Sequence, residues 1–180
     1  VNHWPSRSGG EQKSRASRVS AAALNQKAID SLHSIDAMSK IFVLGDLNDD
    51  PTNDSVLVTL NAQKDREDVR PQMIYNPYIQ MLKDGYNTLA YRDAGNIFDQ
   101  IMVTYPLLNE AHQSGYRYYQ ANIYNPSFMT NKAGRYKGYP LRSFADGGFT
   151  GGFSDHFPVY VYLVKEITEA EETKATSDNK

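Results

Sequence analysis

The chain has 180 residues, no cysteine and a formal net charge of −2. Its 40% hydrophobic and 22% charged content suits one globular domain with a sizeable core. Disulfides, thiolate nucleophiles and zinc–thiolate sites are excluded, and no apolar run approaches the ~18 residues of a membrane span.

Charge is unevenly spread. Seven acids lie between Asp46 and Arg70 against three bases, whereas Gly115 to Ala145 carries Arg117, Lys132, Arg135, Lys137 and Arg142 with no acid. An acidic loop favours cations and a basic one favours anions, although both patterns also suit solvated surface.

Val1-Asn2-His3-Trp4 opens the chain in what reads as mid-strand, without a leader, so a piece of a longer protein is expected. Pro5 to Arg15 is rich in Ser, Gly, Lys and Arg and reads as a loop. From Ser17, a candidate N-cap, to Met38 the pattern is helical. Leu24, Ala28, Leu32 and Ile35, with Val19 and Ile29, are placed on its buried face, and Asn25, Lys27 and Asp30 on the wet side. Ile41 to Leu44 is an apolar run of the kind that forms a strand covered on both faces. Val56 to Leu60 fits helix or strand. Tyr78 to Lys83 reads as a short helix closed by Gly85, and Ile97 to Thr104 as a strand ended by Pro106. Tyr116 to Phe144 is expected to form long loops with a short strand or two, and Phe157 to Val164 a final strand. Residues 166–180 are acidic and patternless, and a disordered tail is expected there.

Three polar clusters adjoin these strands. Asp46 and Asn48 follow the first apolar run two residues apart, so an extended backbone would aim both at one point, where a hard cation or an attacking water is served. A turn is the competing reading of Asp-x-Asn. Asp99 sits in an otherwise apolar strand and needs a partner; an imidazole is a good one. His156, with Ser154 and Asp155, follows the glycine-rich run Gly147 to Gly152. His33 and His112 are not expected to be catalytic, and no Gly-x-Ser-x-Gly elbow supports a serine hydrolase.

Taken in order, Asn2-His3-Trp4, Gly45-Asp46-Leu47-Asn48, Phe98-Asp99-Gln100-Ile101 and Ser154-Asp155-His156-Phe157-Pro158-Val159 resemble the endonuclease/exonuclease/phosphatase superfamily, the deoxyribonuclease-I-like enzymes. The resemblance spans residues 1–165. It implies an α/β fold, a four-layered α/β sandwich with two mixed sheets face to face, and Mg²⁺-dependent attack of water on a phosphate ester, Mn²⁺ being the alternative ion. Catalytic roles fall on His3, Asp46, Asn48, Asp99 and His156: Asp46 on the water, Asn48 on the phosphate, His156 with Asp99 on the phosphate or developing charge, and His3 on phosphate or the leaving oxygen. Asp155 would sit at the metal. Substrate contacts fall on Asn2, Arg117, Arg135, Lys137 and Arg142. The family's early Asn and metal-binding Glu lie upstream of the matching segment, so the chain resembles the C-terminal part of the domain. A fragment inactive without its N-terminal half is therefore one expectation, with that half as a partner.

The substrate stays open among DNA, RNA, a phosphorylated small molecule such as an inositol phosphate, and a lipid head group. A non-catalytic anion-binding module on the same fold is the reading from another class. Location is unknown from these residues, with export as the guess.

Overall fold

A computed structural model describes residues 1–108, 115–145 and 147–166. The expected tail, apart from Glu166, and His112 lie outside the described residues.

The fold is α/β, built on a mixed five-stranded sheet. β1 (Asn2–His3) runs parallel to β2 (Phe42–Asp46); β3 (Ala62–Gln63) and β4 (Ile74–Tyr75) form a second parallel pair at the other edge. β5 (Leu89–Tyr91) and β6 (Ala94–Asn96) make a hairpin that leads into β7 (Asp99–Thr104). β7 is antiparallel to both β2 and β4, giving the order β1-β2-β7-β4-β3. β8 (Arg117–Ile123) and β11 (Val159–Val164) pair antiparallel as a second sheet. β9 (Phe144–Ala145) and β10 (Gly148–Phe149) form a small hairpin between them.

Alternation along the strands sorts side chains to two cores. On one face Val43 and Met102 join Trp4, Leu47, Val56 and Leu60 beneath helix α1 (Glu11–Ile35), which contributes Ala22 and Ile29. On the other face Phe42, Leu44, Ile101 and Val103 meet Tyr118, Ala121, Val159 and Val161 of the second sheet, with Tyr78, Met81 and Leu82 of helix α2 (Tyr78–Lys83). Helix, sheet and sheet are thus stacked, and two sheets face each other as the family resemblance implies.

The long helix departs from expectation in both start and facing. It begins at Glu11, so Ser17 is inside it and caps nothing, and Pro5 to Arg15 is loop only as far as Gly10. Its buried stripe is Arg18, Ala22 and Ile29, with Asn25 partly covered on the same side, whereas Leu24, Leu32 and Ile35 are exposed. The reason is polar pairing: Arg18 Nε lies 2.7 Å from Asp49 Oδ1, and Asn25 donates to Asn2 Oδ1 at 2.8 Å. Apolar spacing placed Ile29 correctly and Val19 in part, but turned Leu24, Ala28, Leu32 and Ile35 inward where the structure exposes them. The ambiguous Val56 stretch is a π-helical turn, Ser55–Thr59.

Gly45 makes the first edge possible. Its φ is 134°, and a Cβ there would overlap the carbonyl of Asn2 in the adjacent strand.

Candidate active site

Strand register brings the first three polar residues together. His3 is the partner of Asp46 in the β1–β2 pair, and Asp46 is the partner of Asp99 in the β2–β7 pair. Asp46 follows Phe42 and Leu44 at two-residue spacing, so it shares their side of the sheet, at the end where the second sheet begins β11. His3 Nε2 lies 3.5 Å from Asp46 Oδ2.

His156 arrives from the segment before β11. Its Nδ1 lies 2.7 Å from Asp99 Oδ2, with both side chains mostly covered. Burial pulls the His156 pKa down, but the hydrogen bond to Asp99 and the charges of Asp99, Asp46 and Asp155 outweigh it, leaving the imidazole above its ordinary value. An Asp-oriented, readily protonated imidazole beside a second carboxylate is equipped for general acid–base work.

Asp46 and Asn48 do not project from an extended strand. Asn48 takes a left-handed backbone, φ 51°, and its N–H donates to Asp46 Oδ1 at 2.9 Å. This is an Asx turn, which fixes the carboxylate rather than aiming two side chains in parallel. The Asn48 amide nitrogen donates to the Trp4 carbonyl at 3.1 Å.

Behind the rim the acidic loop is a structural network. Arg7 donates to the Asn48 carbonyl, Asp49 and Asn53, and lies over the ring of Phe98. Asp50 accepts from Asn96 and from the Ile97 N–H. Gln100 donates to the Asp49 and Ile97 carbonyls and accepts from Asn76. Asp49 and Asp50 therefore have protein partners, which corrects the reading of this loop as cation-seeking.

Thr88 ties the rim together and was missed in the sequence. It is fully buried; its Oγ1 faces the N–H groups of Phe98 and Asp99 at 3.2 and 3.4 Å, and its carbonyl accepts from Phe157 N–H at 2.7 Å. One residue thereby holds both the start of β7 and the segment before β11, which carry the His156–Asp99 pair. No local sequence signal marks it, since its partners are main-chain groups distant in sequence.

Two expected substrate contacts are corrected. Asn2 points away from the rim, as the neighbour of His3 in a strand must, and bonds Asn25 and the Trp4 indole instead. Arg117 pairs in register with Val164 at the end of β11 far from His156, and sits 3.8 Å from Glu166. Of the others, Arg142 lies 3.5 Å from Asp155, Arg135 lies 3.4 Å from Asp93, and Lys137 is exposed. Asp155 is itself half exposed. His33 bonds the Ser39 carbonyl, away from this rim.

A family model described as the endonuclease/exonuclease/phosphatase family matches residues 1–165. The chain belongs to that family. No curated protein and no solved structure matches it. Family membership implies a phosphoesterase- or nuclease-type domain acting on phosphate esters or nucleic acid, and enzymes of this family generally use divalent metals. No helix among the described residues is long and apolar enough to cross a membrane.

The donors at the rim fit a hard cation in kind but not in number. Asp46 and Asp155 offer carboxylate oxygens, yet no three His, Asp or Glu side chains among the described residues cluster as a metal set. Arg142 already leans on Asp155.

Proposed function

We propose that the rim hydrolyses a phosphate ester, a diester or a monoester, by in-line attack of water. The observation that supports this reading most is the register that sets Asp46 beside Asp99, with His3 and His156 each on one of those carboxylates.

Asp46, fixed by the Asn48 N–H, accepts the proton of the attacking water as its oxygen bonds to phosphorus. His156, whose protonated form Asp99 favours, donates to a non-bridging phosphoryl oxygen and so stabilises the charge that builds there. His3, three-quarters exposed and free to approach a ligand, gives a proton to the leaving oxygen as its bond to phosphorus breaks. Asn48 steadies the phosphate through its amide. Asp46 and Asp155 are the residues that would hold Mg²⁺ or Mn²⁺, together with ligands beyond the pair. Such an ion supplies Lewis-acid polarisation of a phosphoryl oxygen.

The test is hydrolysis of bis(4-nitrophenyl) phosphate and 4-nitrophenyl phosphate with Mg²⁺, against an EDTA control. Asp46→Ala and His156→Ala are each expected to lower kcat/KM about 100-fold or more, in line with the loss of a general base or acid. Rates unchanged by both substitutions would leave only an anion-binding role.

A further inference from the structure

Next to the rim lies a cavity of about 550 Å³ that the reaction leaves unused. Its construction starts at the β5–β6 hairpin. Tyr91 pairs with Ala94, so Arg92-Asp93 is a two-residue turn, and both have positive φ, 50° and 65°. That is the turn type whose twist suits a tight hairpin, here made without glycine. Asp93 then fastens the tip: Tyr139 Oη donates to it at 2.8 Å and Arg135 reaches it at 3.4 Å. The opposite wall is shaped by Gly152, where a Cβ would overlap the carbonyls of Leu141 and Arg142.

The lining has two chemistries. Arg92, Arg135 and Arg142 face the cavity with no acid among its described lining residues; Asp93 pairs with Arg135 and Asp155 with Arg142 from outside the lining, so the three cations exceed these two acids and an anion is favoured. Tyr91, Tyr136 and Phe144 line it as well; Arg92 lies over Tyr91, Arg135 over Tyr136 and Phe149 tilts against Phe144, yet each of the three lining rings stays more than half exposed. Arg142 belongs to both regions, since its guanidinium also meets Asp155, the neighbour of His156. The hairpin joins them from the other side, because β6 ends three residues before Asp99.

We infer that this cavity is a subsite for the nucleotide adjoining the scissile phosphate of a single-stranded nucleic acid. The base stacks on Tyr136 or Phe144, and the flanking phosphate meets Arg142 and Arg135. The inference rests on the phosphoesterase reading of the rim for its register. Exposed rings beside arginines suit an unstacked base, which a single strand offers and a duplex hides. A polyol phosphate would satisfy the arginines and leave the exposed ring surface uncovered.

The test is equilibrium binding in EDTA, so that turnover plays no part. Fluorescently labelled hexathymidylate is compared with a hexamer of abasic tetrahydrofuran units, which keeps the phosphates and removes the bases. Wild-type protein should bind the base-bearing strand roughly tenfold more tightly, the scale of one stacked base. Phe144→Leu combined with Tyr136→Leu keeps apolar bulk and should shrink that preference to within about twofold. Equal binding of the two hexamers by wild type overturns the subsite. So does a preference that survives in the double variant with its thermal transition retained. Inositol hexakisphosphate displacing both hexamers equally well also overturns it. Should the double variant fail to fold, the wild-type comparison decides alone. Failure of the rim reading shows separately, as loss of bis(4-nitrophenyl) phosphate hydrolysis by wild type while the hexamer preference stands.

Discussion

Arg18 and Asp49 form an ion pair closed to solvent, Nε to Oδ1 at 2.7 Å, between the long helix and the loop that follows Asp46. Asp49 also accepts from Ser55 at 2.6 Å and from Arg7 at 3.1 Å, so the carboxylate is well compensated. Removing the arginine takes away its closest cation and leaves Arg7 and Ser55 to hold it. Arg18→Ala should lower unfolding free energy by about 3–5 kcal/mol, the usual result of breaking a buried pair from one side. Urea unfolding measures this. The double change Arg18→Met with Asp49→Asn should recover part of the loss, because it removes both charges; no recovery would mean that the pair is not what holds this junction.

Thr88 gives a second expectation, about positioning. Thr88→Val keeps the shape and removes the acceptor that faces the Phe98 and Asp99 N–H groups, at a cost of about 1–3 kcal/mol in stability. A role in placing Asp99 predicts more than lost stability. At a temperature where the variant is fully folded, kcat should fall while KM holds, and Thr88→Ser should restore it. A variant with unaltered kcat would confine Thr88 to the fold.

The two halves of this picture differ in how far the sequence disclosed them. Asp46, Asp99 and His156 were legible because each polar residue interrupts or ends an apolar run, and that contrast survives in any strand arrangement. β2, β7 and β11 were found to within two residues for the same reason. The facing of the long helix was not legible. Ile29 was placed correctly. Leu24, Leu32 and Ile35 make a better apolar stripe with it than Arg18 and Ala22 do, yet the latter two are buried because Asn2 and Asp49 wait opposite. Polar partners fixed across 23 and 31 positions leave no periodic trace. Asn2 illustrates the cost of motif reading: its neighbour His3 is on the rim, and alternation turns Asn2 to the helix.

His156 sets a pH expectation for stability. Its pKa in the folded protein is raised above the ordinary ~6.5 of an unfolded histidine. The charged imidazole therefore stabilises the fold fully below about pH 6.5, and that contribution is lost as pH climbs through the native value. Wild type and His156→Gln should differ most in urea midpoint near pH 6 and least near pH 9. A difference that grows with pH would reverse the assignment.

Activity should carry the same signature. If His156 works as imidazolium, kcat/KM falls on the alkaline side with an apparent pKa above 6.5. Asp99→Asn removes the charge and leaves only a neutral acceptor against burial, so the limb should move to lower pH. An alkaline limb that does not shift in Asp99→Asn would detach that titration from the pair.

Asp155 separates two roles that its position allows. Its carboxylate is half exposed and 3.5 Å from Arg142, so it serves either a divalent ion at the rim or the orientation of the arginine. Asp155→Ala should raise the Mg²⁺ concentration for half-maximal hydrolysis about 10–100-fold if the carboxylate holds the ion or its shell. If it only steadies Arg142, the Mg²⁺ requirement stays and KM for the phosphate ester rises instead. Arg142→Gln supplies the comparison, since it raises KM under either role and leaves Asp155 free. A Mg²⁺ titration in which Asp155→Ala matches wild type while reproducing the KM of Arg142→Gln would remove Asp155 from the metal and assign it to the substrate side of the rim.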